Sequence, residues 1–234
     1  MALPKLDTPK YQLILPSTGE TIEYRPFLVK EQKILMMAQE SKEESNMLLA
    51  VGDLVNACTF GKIDTKRSPT FDIEYVFLKI RAKSVGETVN INIVCPDDGQ
   101  TQVPVKINLD EIELLTGADH RTDIKLTDNI TINFRYPIMS DLQGGKSSEV
   151  SDQSFKLLNK CVNSIESGDD VYNRVDMTDK EIDDFIEQMN NKQFEDVMSF
   201  FNSMPKLRHI VNVTNPKTNI QSEVVLEGLN SFLV

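Results

Sequence analysis

Hydrophobic residues recur along this chain in two rhythms, and the places where one gives way to the other mark its elements. Tyr11, Leu13 and Leu15 alternate with other residues, Pro16-Ser17-Thr18-Gly19 supplies a turn, and the return strand Thr21 to Tyr24 completes a hairpin. Pro26 forbids further ladder pairing at its position, and the helix formers from Lys30 to Gln39 predict a helix over 29–40. After the polar break Ser41 to Ser45, Met47, Val51, Leu54, Val55 and Cys58 share one face at helical period, and Gly61 ends that second helix. A third helix has its N-cap at Thr70 and a buried stripe of Ile73, Val76, Phe77 and Ile80.

From Thr88 the period becomes two. Val89, Ile91 and Ile93 alternate on one arm, Cys95-Pro96-Asp97-Asp98-Gly99 turns the chain, and Val103, Val105 and Ile107 alternate back. Residues 109–116 read as one or two turns of helix. A third hairpin centres on Asp128-Asn129, with Ile124 and Leu126 facing Ile130, Ile132 and Phe134, before Arg135-Tyr136-Pro137 breaks the ladder. Gly144 to Ser148 is a flexible polar segment. Leu158, Cys161, Val162 and Ile165 then predict a helix ending near Gly168. Thr178-Asp179-Lys180-Glu181 is a capping box ahead of Ile182, Phe185, Ile186 and Met189. A helix bearing Phe194, Val197, Met198 and Phe201 stops at Pro205. Ile210 to Val213 and Glu223 to Leu226 flank a turn as a fourth hairpin, and Gly228 to Leu233 forms a terminal helical turn.

These elements give an α+β protein of two similar halves, each built from β-hairpins and amphipathic helices: an arm over 1–10, a first half over 11–116 and a second over 117–234. The arm carries Pro4 and Pro9 and is extended, either as a frayed terminus or as a segment that orders on a neighbouring subunit. Ile22-Glu23-Tyr24-Arg25 and Ile132-Asn133-Phe134-Arg135 share the form Ile-x-aromatic-Arg, each soon followed by proline. Phe71 and Phe77 are spaced as Phe194 and Phe200 are. Two readings account for this: a degenerate internal repeat with a loop insertion at Gly144 to Ser148, or chance likeness between two α+β halves.

Charge narrows the class of partner. The 234 residues carry 25 Lys+Arg against 36 Asp+Glu, a net charge of -11, with the basic residues scattered. Binding to nucleic acid through counterion release needs a cationic face, so nucleic acid is not an expected partner. No apolar run approaches the ~20 residues of a bilayer-spanning helix, and no signal-peptide layout opens the chain, which places it in the cytosol, away from membranes. The three cysteines are too few and too separated for a disulfide framework, and Cys58 and Cys161 sit on apolar stripes as buried thiols.

The candidate chemistry is thin. Cys95-Pro96-Asp97-Asp98-Gly99 has the shape of a zinc knuckle, but Asp98 stands where the second cysteine belongs, so the knuckle at Cys95 is degenerate and no metal or cofactor is expected. His120 lies in a polar linker and His209 at a strand start, neither beside a partner that would make it a general base. Gly144-Gly145-Lys146-Ser147 lacks the first glycine of a phosphate loop, with Ser140 in its place. Asp179, Glu181, Asp183 and Asp184 form the acidic first turn of a helix, a solvated face. No catalytic residues emerge, and the chain does not read as an enzyme.

What remains is a surface for protein contact. Arg25, Pro26 and Phe27 present a planar cation and an aromatic at a rigid turn, with Lys30 and Glu31 on the following helix and Arg135 at the corresponding place in the second half. The bland alternative is internal: Phe27 staples hairpin to helix, and Arg25 pairs with an acid such as Glu31. The opening Leu3-Pro4-Lys5-Leu6-Asp7-Thr8-Pro9, the Tyr-x-Leu-x-Leu strand and Tyr24-Arg25-Pro26-Phe27-Leu28-Val29-Lys30-Glu31-Gln32 together resemble the baseplate hub subunit family of T-even-type contractile-tailed phages. The resemblance implies a structural hub subunit or hub assembly factor, made in the host cytoplasm, that binds other hub and wedge proteins through hairpin edges and the Arg25-Phe27 junction. It leaves open an assembly chaperone or small acidic binding module absent from the mature virion. Retention in the virion tail baseplate and the oligomeric state are also left open.

Overall fold

The computed structural model describes residues 6–142 and 150–232. Its chain is α+β, as the alternating periods imply, and divides into two compact units: Met1–Leu115 with Lys206–Val234, and Thr116–Pro205. The expected second half ran from 117 to the end, whereas the last hairpin joins the first unit. The cause is a non-local pairing that the hydrophobic pattern does not encode.

In the first unit, β1 (Tyr11–Ile14) and β2 (Thr21–Tyr24) form the opening hairpin in the register Tyr11↔Tyr24. Helices α1 (Val29–Ser41), α2 (Glu44–Cys58) and α3 (Thr70–Ser84) follow. Thr70 is the first helical residue of α3, not its N-cap, because Pro69 occupies the cap position. Ser17 in the hairpin turn donates from both N and Oγ to the Asp72 carboxylate, tying β1–β2 to the start of α3. The helix is buried on two sides: Ile73, Val76, Phe77 and Ile80 on one, Leu78 and Ala82 against strands on the other.

Those strands are β3 (Thr88–Val94) paired with β4 (Gln102–Asn108), and a sheet of order β11-β10-β5, with β5 at Glu113–Leu115, β10 at Lys206–Thr214 and β11 at Gln221–Glu227. The expected helix over 109–116 is a single 3-10 turn, Leu109–Glu111, followed by β5, which pairs Leu114 with Leu207. Val89, Ile91, Ile93, Ile107, Leu207, Val211, Val213 and Phe232 close one core over α3. Phe232 belongs to a terminal 3-10 helix, Leu229–Phe232.

The second unit holds a four-stranded antiparallel sheet of order β6-β7-β8-β9: β6 (Asp123–Lys125), β7 (Ile130–Phe134), β8 (Val162–Ser167) and β9 (Asp170–Asn173). Its helices are α4 (Met139–Leu142), α5 (Val150–Cys161), α6 (Asp179–Glu187) and α7 (Asn191–Ser203). The expected continuous helix through Ile165 ends at Cys161. Val162 and Ile165 instead lie on β8, opposite Phe134 and Ile132, where β-branched side chains fit the pleat. The capping box forms, with Thr178 Oγ1 accepting from Glu181 N–H and the Glu181 carboxylate accepting from Thr178 N–H at 2.8 Å. The Gly144 to Ser148 segment, where the sequence places an insertion and a flexible loop, lies outside the described residues, as do residues 1–5 of the arm.

Candidate functional site

Pro26 ends β2, and the backbone geometry there is fixed by Arg25. Its N–H donates to the carbonyl of Cys58 (3.0 Å), and its guanidinium donates to the Pro26 carbonyl (2.9 Å), the Cys58 Sγ (3.6 Å) and Glu31 Oε1 (3.0 Å). The other Glu31 oxygen accepts Leu28 N–H at 2.7 Å and so starts α1. Arg25 and Glu31 side chains are 12% and 6% exposed. Burial pushes the Glu31 carboxyl up, but bonds from Arg25, Leu28 and Lys30 outweigh it and hold it below the usual carboxylate range. Phe27, half-buried, anchors through its N–H to Ser84 Oγ at 2.9 Å. The internal pairing of Arg25 with Glu31 that the sequence raised as an alternative is therefore present.

The Arg135 junction repeats these bonds. Arg135 N–H donates to the Cys161 carbonyl (2.9 Å), and its guanidinium donates to the Tyr136 carbonyl (3.1 Å) and, fork to fork, to both Asp141 oxygens (2.7 and 3.1 Å). Asp141 Oδ2 also accepts Ile138 N–H at 2.9 Å, as Glu31 does for Leu28. Sequence reasoning missed Asp141. The signal was an acid at the same distance from Arg135 as Glu31 is from Arg25. Cys58 and Cys161, each at a helix end beside its arginine, are fully buried, and burial pushes their thiols up to about 11 and about 12.

What the Arg25–Glu31 lock holds in place is the surface of α1. Of its residues only Glu31 and Ala38 are buried, while Val29, Ile34, Met36 and Met37 are exposed. A groove of about 260 Å³ runs beside it, lined by Lys30, Ile34, Ala50, Asp53, Leu54 and Ala57. Among the six residues singled out from the sequence, Lys30 is the most open, with its Nζ 3.3 Å from Glu31.

The remaining candidates are structural. In the Cys95 turn, Asp98 caps the loop by accepting from Gln100 N–H, Thr101 N–H and Thr101 Oγ1, which holds its carboxyl far below the usual range. Among the described residues no group of three or more His, Cys, Asp or Glu side chains could hold a metal ion. His120 bridges Ser203 Oγ and Tyr136 OH at 2.9 Å each and stacks on Tyr136 and Phe200, with burial holding its pKa down. His209 lies on β10 opposite Leu226. No helix of the described residues is long and apolar enough to cross a membrane. Residues 8–234 match a family model described as T4 bacteriophage base plate protein. No curated protein and no solved structure gives a significant match.

Proposed function

Because the chain belongs to the T4 bacteriophage base plate protein family, and so works among other baseplate proteins of the phage tail, we propose that it is a non-enzymatic hub subunit or hub assembly factor acting by protein-protein binding. The observation that carries this reading is the outward apolar face of α1, held rigid by the Arg25–Glu31 lock. Val29, Met36 and Met37 offer adaptable apolar contact beside Pro26, Phe27 and Lys30. Arg25 and Glu31 set the angle of that surface, and Arg135 sets the corresponding junction of the second unit. The matching bonds at the two junctions also support reading the chain as a degenerate internal repeat.

A tagged chain is used to capture partners from phage-infected cells, beside a variant carrying Val29→Asp and Met37→Asp, both at exposed positions. Recovery of hub proteins by the native chain and not by the folded variant is the expected result. Recovery of wedge proteins alone, or of no tail protein, would count against a hub role. The same apolar face favours a second reading, an assembly chaperone or acidic binding module that leaves before the virion is complete. Mass spectrometry of purified virions separates the two, since a hub subunit stays in the particle.

A further inference from the structure

The β3–β4 hairpin has one guarded edge and one open edge. Backbone bonds from Cys95 N–H to the Thr101 carbonyl and from Leu109 N–H to the Glu87 carbonyl, each 2.8 Å, bracket the ladder and fix its phase. Residues 87, 89, 91, 93 and 95 therefore turn their backbone groups toward β4, and Thr88, Asn90, Asn92 and Val94 turn theirs outward. On β4 the same phase sends Gln102, Pro104, Lys106 and Asn108 outward. Pro104 has no N–H to offer and Lys106 brings a charge, so that edge resists pairing. The corresponding edge of the last hairpin, on β11, carries Glu223 and Glu227.

The β3 edge has no such device. Thr88-Val89-Asn90-Ile91-Asn92-Ile93-Val94 contains no charge and no proline, and among the described residues no strand pairs with its outer side. Thr88, Asn90, Asn92 and Val94 are exposed, and an apolar groove of about 500 Å³, with Ile91, Ile93, Val224 and Leu226 in its walls, opens along the edge.

We propose that β3 is a self-association edge, to which a second copy of this chain adds its own β3 antiparallel about a twofold axis at Ile91. The strand is close to palindromic about that residue. Antiparallel pairing sets Asn90 against Asn92 and Thr88 against Val94 as the pairs that exchange N–H···O bonds, using the backbone groups that point outward. Asn90 and Asn92 amides meet on the exposed face. Val89 meets Ile93 on the apolar face, and Ile91 meets its own symmetry mate. The incoming apolar face extends the sheet over Val224 and Leu226. Charge does not oppose this occupant at β3: a chain of net charge -11 repels its own copies elsewhere, but Thr88–Val94 carries no charge, so two copies meet there with no like charges opposed. Self-pairing of β11 would set Glu223 and Glu227 near their counterparts.

Sedimentation velocity of the full chain, from about 1 μM to about 100 μM, reads the dimer directly. The expected mass rises from 26.5 kDa to twice that value. Hydrogen exchange at the same concentrations adds the register: the amides of Thr88, Asn90, Asn92 and Val94 gain protection as the dimer forms, while those of Val89, Ile91 and Ile93, already bonded to β4, change little. Asn92→Pro removes only an outward N–H and mirrors Pro104 across the ladder, and the pair Asn90→Lys with Asn92→Lys brings like charges together. Either is expected to weaken the dimer by about tenfold or more with circular dichroism unchanged. A chain that stays monomeric throughout overturns the proposal, as does a dimer that leaves the outward amides unprotected. A dimer that both folded variants form as well as the native chain overturns it too. Should a variant fail to fold, the exchange pattern of the native chain still decides.

Discussion

Glu31 serves two masters: one oxygen lies 3.0 Å from the Arg25 guanidinium and the other accepts the Leu28 N–H at 2.7 Å, with 6% of its side chain exposed. Replacing it by alanine strands a largely shielded arginine, 12% exposed, and uncaps α1. Chemical denaturation is expected to show a loss of about 3–5 kcal/mol for Glu31→Ala, against under about 0.5 kcal/mol for Lys30→Ala at the exposed neighbour. The folded carboxyl lies below its ordinary value, so its stabilisation is full above about pH 4.5 and fades as pH falls through the folded pKa. In Glu31→Gln that acid-side loss of stability shrinks.

Glu74 works in the opposite direction. Burial on α3 raises its carboxyl from 4.5 to about 7, although the Leu229 N–H, which donates to it, pulls the other way. A folded state that holds the proton more tightly than the unfolded chain is most stable at low pH, and that advantage is lost as pH rises from about 4.5 to 7. Glu74→Gln keeps an acceptor for Leu229 and removes the charge. Its stability relative to the native chain is expected to rise by about 1–3 kcal/mol between pH 5 and pH 8, read from paired melts at the two values.

The hairpins were legible because period two and turn chemistry are local signals, and the capping box at Thr178 announced α6 for the same reason. Val162 and Ile165 were misread as helix because Leu158, Cys161, Val162 and Ile165 keep helical spacing across a helix-to-strand switch with no glycine or proline to mark it. Only pairing with β7 makes that segment a strand. The return of Lys206–Val234 to the first unit was hidden likewise, since β5 is too short to show a period and its partner is distant in sequence. Of the candidate junction, Arg25, Glu31 and Arg135 could be named from sequence. Asp141 was legible only through its six-residue spacing from Arg135, which matches that of Glu31 from Arg25, and the carbonyls of Cys58 and Cys161 were not legible at all, because backbone acceptors leave no residue-type signature.

Asp97 joins the tips of two hairpins in the first unit. Its carboxylate accepts from Asn215 Nδ2 at 3.0 and 3.1 Å and from Thr218 Oγ1 at 2.6 Å, and these bonds hold it below the usual carboxylate range. Asn215 is fully buried. Asp97→Ala leaves the buried Asn215 amide without these acceptors and is expected to lower the midpoint of chemical denaturation. Hydrogen exchange should show the ends of β10 and β11 nearest Asn215 opening first.

Gly117 tests the inner fit of the second unit. Its N–H donates to the Ser203 carbonyl at 2.9 Å, so the opening residues of this unit are pinned to the end of α7. A Cβ at Gly117 would stand 2.8 Å from the Ser203 Cβ and 3.1 Å from its Cα, and backbone cannot yield as a flexible side-chain tip can. Gly117→Ala must therefore push the end of α7 away or give up the bond, at about 1–3 kcal/mol. Displacement of Ser203 also loosens His120, which holds Ser203 Oγ on one nitrogen and Tyr136 OH on the other. His120 sits below its ordinary pKa because it is buried. Loosening exposes the ring, so its pKa, followed by NMR titration of the imidazole protons, is expected to move up toward 6.5 in the variant. An unchanged titration alongside lower stability would place the strain on the backbone alone and leave the His120 bridge intact.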